Sequence, residues 1–443
     1  MTAHVAVIGA GASGTIQALH LLHRGIERVT LIEREREPGR GTAYGTRRPE
    51  HLLNVPARRM IVWPDHPDQF ARWWSERGGD AEGYAPRMRF GDYLSGLLAA
   101  VADRVDIVRG EAAAVAADAG GSEQVVLADG RAIAAGAVVL ALGNLRPAPL
   151  AVLDRARLGG LYVEDPWFGD LRDGLTDDDT VLLVGTGLTA IDAALTLDAL
   201  GFRGRIVALS RRGLVPRASL AREAVPKPRG EFPGSCVALL GAVRERGQEI
   251  GWREAVHEVR QLVQLLWSQA PLPERRRFLR HLRPWWDVHR HRIAPAVAER
   301  IEAMQADGRL RFAAGRIRSA EAEGAAAAVG WCPRGGSAAQ RMRVARIVNC
   351  TGPELDIRRA GEPLLDALLG AGRIRPDACR LGIDVDPESR IIASDGKPSN
   401  RLYAIGPMTR GAFWESIAVS DIAVQARAVA KRLTSPPCTQ GGD

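Results

Sequence analysis

Two glycine-rich turns predict an α/β chain built of two Rossmann-like dinucleotide-binding domains with a helical insertion. The first turn is Gly9-Ala10-Gly11-Ala12-Ser13-Gly14 and the second is Gly185-Thr186-Gly187-Leu188-Thr189-Ala190. Each follows an apolar β-branched run and opens an apolar-faced segment, which is the strand, tight turn and helix that a pyrophosphate cradle needs. A third observation is the long charged stretch after Arg212, whose apolar residues recur at helical spacing.

His4 to Ile8 reads as a buried parallel strand and Thr15 to Leu22 as a helix with one apolar face. In such a turn Gly9 makes the bend, Gly11 lets backbone N–H groups approach a pyrophosphate, and Gly14 lets the helix pack on the strand. Ala12 and Ser13 then start the helix whose N-terminal dipole meets the phosphate. The next strand, Val29 to Ile32, ends at Glu33, about 20 residues on, where a carboxylate accepts hydrogen bonds from the ribose hydroxyls of an unphosphorylated adenosine. Pro38 to Gly45 and His51 to Met60 have no clean period and read as loops. Phe70 to Leu98 reads as helical, and strands follow near Val105–Val108, Val125–Leu127 and Val138–Leu142, the last running into Gly143. Asp165-Pro166-Trp167 marks a linker.

The second unit runs from the strand Thr180–Val184 through Gly185 and Gly187 into a helix that Leu188 and Thr189 open, with Ala190 in the third glycine position. Its following strand, Arg205–Leu209, ends in Ser210-Arg211-Arg212 where the first unit has an acid. A carboxylate there would repel a 2′-phosphate, whereas guanidinium groups bind one through charge-assisted hydrogen bonds, so this site reads as NADPH. Solvated surface arginines are the alternative at that point. Beyond Arg212, Trp252, Val256, Val259, Val263, Leu266 and Trp267 share one helical face within an insertion spanning about residues 218–308. Strands return at Leu310–Ile317 and Arg346–Val348, the latter entering Cys350-Thr351-Gly352-Pro353. A last strand, Leu402–Ile405, meets Gly406-Pro407 and a helix from about Phe413 to Arg432, a strand-glycine-helix order that folds back on the first domain. The predicted organisation is therefore 1–165 and 346–433 for the first domain, 166–345 for the second, and a fraying tail at 434–443.

The 443 residues suit two to three domains. No apolar run approaches the ~20 residues of a membrane span, and the first strand starts too early to leave room for a leader, so a cytoplasmic protein is expected. The formal charge of +8 suggests anionic partners, yet Lys227, Lys397 and Lys431 are the only lysines among 60 basic residues. That arginine excess is compositional, no compact basic run carries interleaved aromatics, and dinucleotides rather than nucleic acid are the expected partners. Cys236, Cys332, Cys350, Cys379 and Cys438 are widely spaced, lack a Cys-x-x-Cys pair and suit a reducing compartment. His289 and His291, two apart, point to different sides of a helix, so no metal site is expected there. Oligomeric state is open.

Taken together, Gly9-x-Gly11-x-x-Gly14, Gly41-Thr42-Ala43-Tyr44, His51-Leu52-Leu53-Asn54-Val55-Pro56, Asp165-Pro166-Trp167, Gly185-x-Gly187 and Thr351-Gly352-Pro353 resemble the bacterial FAD/NAD(P)-binding proteins of the YdhS-like group. That group is similar to flavin-containing monooxygenases and the ornithine and lysine N-hydroxylases, whose first site holds FAD and second NADPH. The resemblance implies that Gly9, Gly11, Ser13, Gly14 and Glu33 hold the ADP half of FAD, with Ala12 and Arg34 also at the FAD site. It places Gly41, Thr42, Tyr44, Asn54 and Met60 near the isoalloxazine and assigns Gly143, Thr351, Gly352 and Gly406 to the same cofactor. Two positions depart: Pro407 follows Gly406 where the usual flavin motif has Asp, and Tyr162 to Trp167 stand where flavin-containing monooxygenases carry a histidine-bearing signature.

The implied chemistry is an NADPH-dependent monooxygenase passing one oxygen from a flavin C4a-(hydro)peroxide to a small-molecule amine or other soft nucleophile, with molecular oxygen as partner. Asn54 is the candidate catalytic residue, since its amide can both donate and accept near flavin N5; closing its own loop is the alternative. The segment Arg280 to Arg292 would cover the substrate side. A flavin reductase or dehydrogenase without oxygen insertion and a flavin redox sensor stay open as other readings.

Overall fold

The computed structural model describes residues 3–34, 37–118, 120–220 and 232–435. The chain opens with β1 (His4–Ile8), α1 (Ala12–His23) and β2 (Arg28–Glu33). Val5 to Ile8 are all buried, as a central parallel strand covered on both faces requires, which is why this run does not alternate with polar residues. A short turn of helix, α2 (Gly41–Tyr44), precedes α3 (Gln69–Ser75) and α4 (Arg87–Ala99). The single helix predicted over Phe70–Leu98 is thus two. Gly78 adopts φ +79° just past α3, a left-handed stop, and Pro86 stands at the start of α4.

Strand β3 (Val105–Arg109) pairs with β2, and a meander β4 (Ala112–Ala117), β5 (Glu123–Leu127) and β6 (Ala132–Ala135) leads to β7 (Ala137–Leu140) beside β1. After helical turn α5 (Arg155–Leu158) come β8 (Tyr162–Val163), β9 (Thr180–Val184), α6 (Leu188–Ala199) and β10 (Arg205–Ser210). The described part of the insertion is helical: α7 (Cys236–Ile250), α8 (Trp252–Gln269), α9 (Leu272–His281), α10 (Arg283–Arg290) and α11 (Pro295–Ala306). Residues 221–231 of that predicted insertion, and 436–443 of the predicted tail with Cys438, lie outside the described residues.

The chain then forms β11 (Leu310–Glu323), β12 (Ala326–Pro333), β13 (Gln340–Val344) and β14 (Arg346–Asn349). It closes with α12 (Pro363–Gly370), β15 (Arg390–Ile392), β16 (Pro398–Ala404) and α13 (Val419–Thr434). The first sheet has the order β15-β16-β7-β1-β2-β3 and the second β13-β12-β11-β10-β9-β14-β8. Strands β8 and β14 both belong to the second sheet, which therefore extends past residues 166–345 at each end. Strand β16 pairs with β7 in register Tyr403↔Val139, so the end of the chain completes the first sheet.

Apolar layers lie on both faces of the first sheet. Val5, Val7, Leu31 and Val139 pack with Leu21 of α1 and Val429 of α13, while Ile8, Ile32 and Leu140 pack with the meander and α12. A separate core joins Leu183 and Ile206 of the second sheet to Ile191 of α6 and Ile301 of α11. Helix α13 begins six residues later than the predicted start at Phe413. The backbone before it is taken by α8: Trp267 Nε1 donates to Gly411 O at 2.8 Å, Gln264 Nε2 donates to Ala412 O at 2.9 Å, and Gln264 Oε1 accepts from Trp414 N at 3.1 Å. Among the described residues no helix is long and apolar enough to cross a membrane.

Candidate functional site

One cleft of about 3440 Å³ runs from the first glycine turn past the second to the insertion. Along its first wall stand Gly9, Gly11, Ala12, Ser13, Glu33, Arg34, Gly41, Thr42, Tyr44, Asn54, Met60 and Gly143. Along the second stand Gly185, Gly187, Leu188, Thr189, Ser210, Arg211, Arg212, Thr351 and Gly352. Gly14 and Gly406 are not on the wall.

The geometry of the first turn accounts for its glycines. Gly9 has φ +98°, and a Cβ there would stand 2.5 Å from Ala141 O. At Gly14 a Cβ would overlap the Gly9 carbonyl, so this glycine packs α1 against β1 rather than facing the cleft. Gly11 caps α1 without any side-chain hydrogen bond, leaving the first-turn N–H groups directed at the cleft end of the helix. Glu33 is 8% exposed at the end of β2, and its Oε2 accepts from Ala10 N at 2.7 Å, tying the acid to the turn it serves.

The second turn repeats this arrangement. A Cβ at Gly185 would run into Cys350 O, as one at Gly9 would meet Ala141 O, and α6 likewise starts at an uncapped Gly187. Gly187 lines the cleft, and a Cβ there would meet no protein atom within 4 Å. These are the features of two anion-binding helix starts, and they fit pyrophosphate groups.

Some predicted site residues have other work. Gly406, assigned to FAD by the resemblance, is buried against α1 with φ +75°, where a Cβ would stand 2.7 Å from Ser13 Oγ, and its N–H donates to Gln425 Oε1 at 2.9 Å. Its neighbour Pro407 is the residue on the wall. Thr351 and Gly352 follow Cys350 and so stand beside the second glycine turn, with Pro353 bridged to Pro147 beyond Gly143. Arg34 is held by Glu362 at 2.7 Å and Glu111 at 3.4 Å. Ser210 Oγ bonds Thr186 Oγ1 at 2.8 Å and accepts from Gly213 N at 3.0 Å, which fixes the loop after β10.

Arg211 and Arg212 make no ion pair or side-chain hydrogen bond among the described residues. The register Ser210↔Ala314 sets β11 beside them, and Arg316 and Arg318 of β11, with Arg334 just past β12 donating its backbone N–H to Ala314 O at 2.9 Å, line the cleft too. Sequence reading missed these three, because nothing in a local motif brings a hairpin over a hundred residues away to the end of β10.

Asn54 lies on the wall, and its carboxamide makes no hydrogen bond to protein among the described residues. Its segment is anchored from both sides. His51 Nε2 lies 2.9 Å from Thr196 Oγ1 and 3.2 Å from Asp192 O, both on α6, and its Nδ1 is 2.9 Å from Thr46 Oγ1. Arg87 of α4 pairs with Asp192 at 2.8 Å and donates from Nε to Leu52 O at 3.0 Å. The loop therefore spans the two dinucleotide units, a role visible only once α4 and α6 face each other.

The third end of the cleft is built by α8–α10 and the loop before α13. Arg283, Asp287, Arg290, His291 and Arg292 of the predicted covering segment line it. The tryptophans of that segment do not: Trp285 is 46% exposed and Trp286 packs with Trp267 and Trp414. Burial, followed by nearby arginines, holds His257 and His291 down to about 4, so both are neutral near pH 7.

The fold and site define an α/β architecture of two glycine-turn units that one cleft reaches. A family described as FAD-NAD(P)-binding matches residues 6–145. The chain is similar in structure to the ornithine N-hydroxylase of Kutzneria sp. 744, solved with reduced FAD, NADP+ and L-ornithine, at TM-score 0.68 and 15% identity over 98% of this chain and 99% of that one. The L-lysine 6-monooxygenase of Pseudomonas syringae aligns at TM-score 0.68 and 16% identity over the same shares. Bacillithiol disulfide reductase of Bacillus cereus aligns at TM-score 0.55 and 15% identity over 97% and 98%. These likenesses establish the fold. No curated protein matches the chain in sequence.

Proposed function

We propose that this chain is an FAD-dependent, NADPH-using oxidoreductase, and specifically a monooxygenase that places one oxygen atom on a small-molecule amine or other soft nucleophile. The observation that carries the reading is the single cleft joining two glycine-turn cradles to a third end lined by insertion side chains. Two cradles provide for two dinucleotides, and the third end provides for a substrate that neither cradle needs. The named amine hydroxylases share this architecture over almost their whole length.

In this reading the sheet of β1 carries FAD, with the N-terminus of α1 at the pyrophosphate, Glu33 at the adenosine ribose, and Asn54 and Met60 at the ring. The sheet of β9 carries NADPH, with α6 at the pyrophosphate and Arg211 and Arg212 at the 2′-phosphate. Bound flavin would supply the redox step: NADPH would give two electrons as a hydride, and with a solvent proton one atom of O2 would enter the substrate and the other leave as water. The protein binds, orients and excludes water, and Asn54 holds a hydrogen bond at the ring. Free Cys236, Cys332, Cys350 and Cys379 fit the reducing cytoplasm, where we place the protein.

The test is rapid mixing of the FAD-loaded protein with NADPH without oxygen, followed by admission of oxygen and a panel of amines and acids. A monooxygenase consumes one NADPH per oxygenated product with little hydrogen peroxide released. The second reading, a reductase, is favoured by the fold likeness to bacillithiol disulfide reductase. It requires sustained anaerobic turnover with a disulfide or quinone acceptor and no oxygenated product.

A further inference from the structure

The insertion end of the cleft carries a positive charge that its own carboxylates do not neutralise. Arg410 follows the Gly406-Pro407 turn, is 7% exposed and lines the cleft. Its guanidinium stacks over the Trp414 ring, 4.2 Å from the centroid, and its nearest carboxylate oxygen is Asp287 Oδ1 at 4.0 Å, beyond hydrogen-bond reach. Its Nε is a buried donor without a partner, and Asp287 Oδ1 is a buried acceptor without one. Burial and then Arg283 push its pKa down to about 10, which leaves it charged at neutral pH.

Glu415 and Asp421 are held by other arginines, and Asp287 is faced by one more. Arg283 lies 3.4 Å from Asp287. Glu415 is shared by Arg290 at 2.9 Å and Arg260 at 3.1 Å, and Arg260 also reaches Asp421 at 2.5 Å. Arg260, Arg283, Arg290 and Arg410 thus face Asp287, Glu415 and Asp421, with neutral His257 and His291 between them. A buried guanidinium short of hydrogen-bond acceptors is costly to keep, and a planar acid group answers its two N–H edges.

We propose that Arg410 anchors a carboxylate of the substrate, and that the molecule oxidised here is an organic acid of net negative charge, such as an acidic amino acid, rather than a diamine or a basic amino acid. The distal ammonium of a basic substrate would find each carboxylate at this end already facing arginine. This deepens the oxidoreductase reading and rests on it for the word substrate, but it is measured without turnover.

The experiment uses the FAD-loaded protein without NADPH and titrates succinate, L-glutamate, L-ornithine, cadaverine and inorganic phosphate by calorimetry, with melting temperature and bound flavin recorded in parallel. Succinate or L-glutamate should bind more tightly than L-ornithine and cadaverine. Arg410→Gln should weaken that acid at least tenfold while melting temperature and bound FAD are retained, because the guanidinium gives up no side-chain hydrogen bond to protein among the described residues and the glutamine amide still covers Trp414. Asp287→Asn, which removes a competing negative charge, should tighten it severalfold. Tighter binding of L-ornithine or cadaverine, binding of phosphate alone, or no binding of either acid overturns the proposal. So does an Arg410→Gln protein that keeps its acid affinity or loses FAD. Should Arg410→Gln not fold, an Asp287→Asn protein with unchanged or weaker acid binding overturns it. Acid binding without coupled oxygenation would retain the anchor and remove the monooxygenase; coupled oxygenation of cadaverine would do the reverse.

Discussion

Gly14 and Gly187 belong to the same kind of turn and make opposite predictions. A methyl group at Gly14 overlaps a backbone carbonyl inside the core, so Gly14→Ala should destabilise the fold by about 1–3 kcal/mol, as overpacking does, with loss of bound flavin in the purified protein. At Gly187 the same methyl enters open cleft space with an ordinary φ of −86°, so Gly187→Ala should melt within about 0.5 kcal/mol of the parent. It should nonetheless weaken NADPH at least ~10-fold in titration, because the methyl stands where the pyrophosphate must approach. Arg211 and Arg212 carry a related prediction. Their joint replacement by alanine should raise the KM for NADPH by roughly 10- to 100-fold and leave NADH within about threefold, reflecting one or two charge-assisted hydrogen bonds to the 2′-phosphate. Equal losses for both nucleotides would remove that assignment. Residues of this kind were legible in sequence because the turn, the helix start and the end of the next strand are local. Arg410 was not, since its meaning lies in a carboxylate on α10 that stays 4.0 Å away and in one before α13 that other arginines share.

The elements that sequence reading located best are the central parallel strands and the helices that follow the glycine turns, where β-branched runs and burial agree. It missed most of the outer strands. Ala112–Ala117, Ala132–Ala135 and Ala326–Pro333 are alanine-rich, carry little strand preference of their own, and are held by antiparallel pairing with their neighbours. The connection between α4 and α6 was equally hidden. Arg87 and Asp192 are both largely buried, their pair joins the two dinucleotide units, and His51 bonds the same turn of α6. Removing one partner leaves a buried charge uncompensated. Asp192→Ala should therefore lower the unfolding free energy by on the order of 3 kcal/mol, read from a denaturant midpoint. Because the Asn54 loop hangs from this tie, the same variant should raise the KM for NADPH and lower the coupling of NADPH use to product. A change in stability alone would show the tie to be structural only.

Across the whole molecule, three partly or fully desolvated histidines, His20 beneath Val62 and His257 and His291 at the cleft, give the fold a definite response to acid. His20 is 3% exposed beneath Val62, whose carbonyl oxygen lies 3.0 Å from Nε2, and burial holds its pKa at about 4, with His23, Arg427 and Arg24 adding smaller effects in the same direction. His257 and His291 at the insertion end are likewise held at about 4. In the unfolded chain each titrates near 6.5, so between pH 6.5 and 4 the unfolded state binds more protons than the native one. Stability is then full above about pH 6.5 and is lost as pH falls toward 4, with a ceiling of about 3 kcal/mol for a fully buried histidine such as His20. Urea midpoints measured from pH 7.5 down to 4.5 should fall continuously over the lower part of that range. His20→Gln retains a donor for Val62 without a titrating ring, and should flatten its share of the slope while leaving the pH 7.5 midpoint nearly unchanged. A flat profile in the parent would mean that these rings are solvated, and their neutrality near pH 7 would have to be given up.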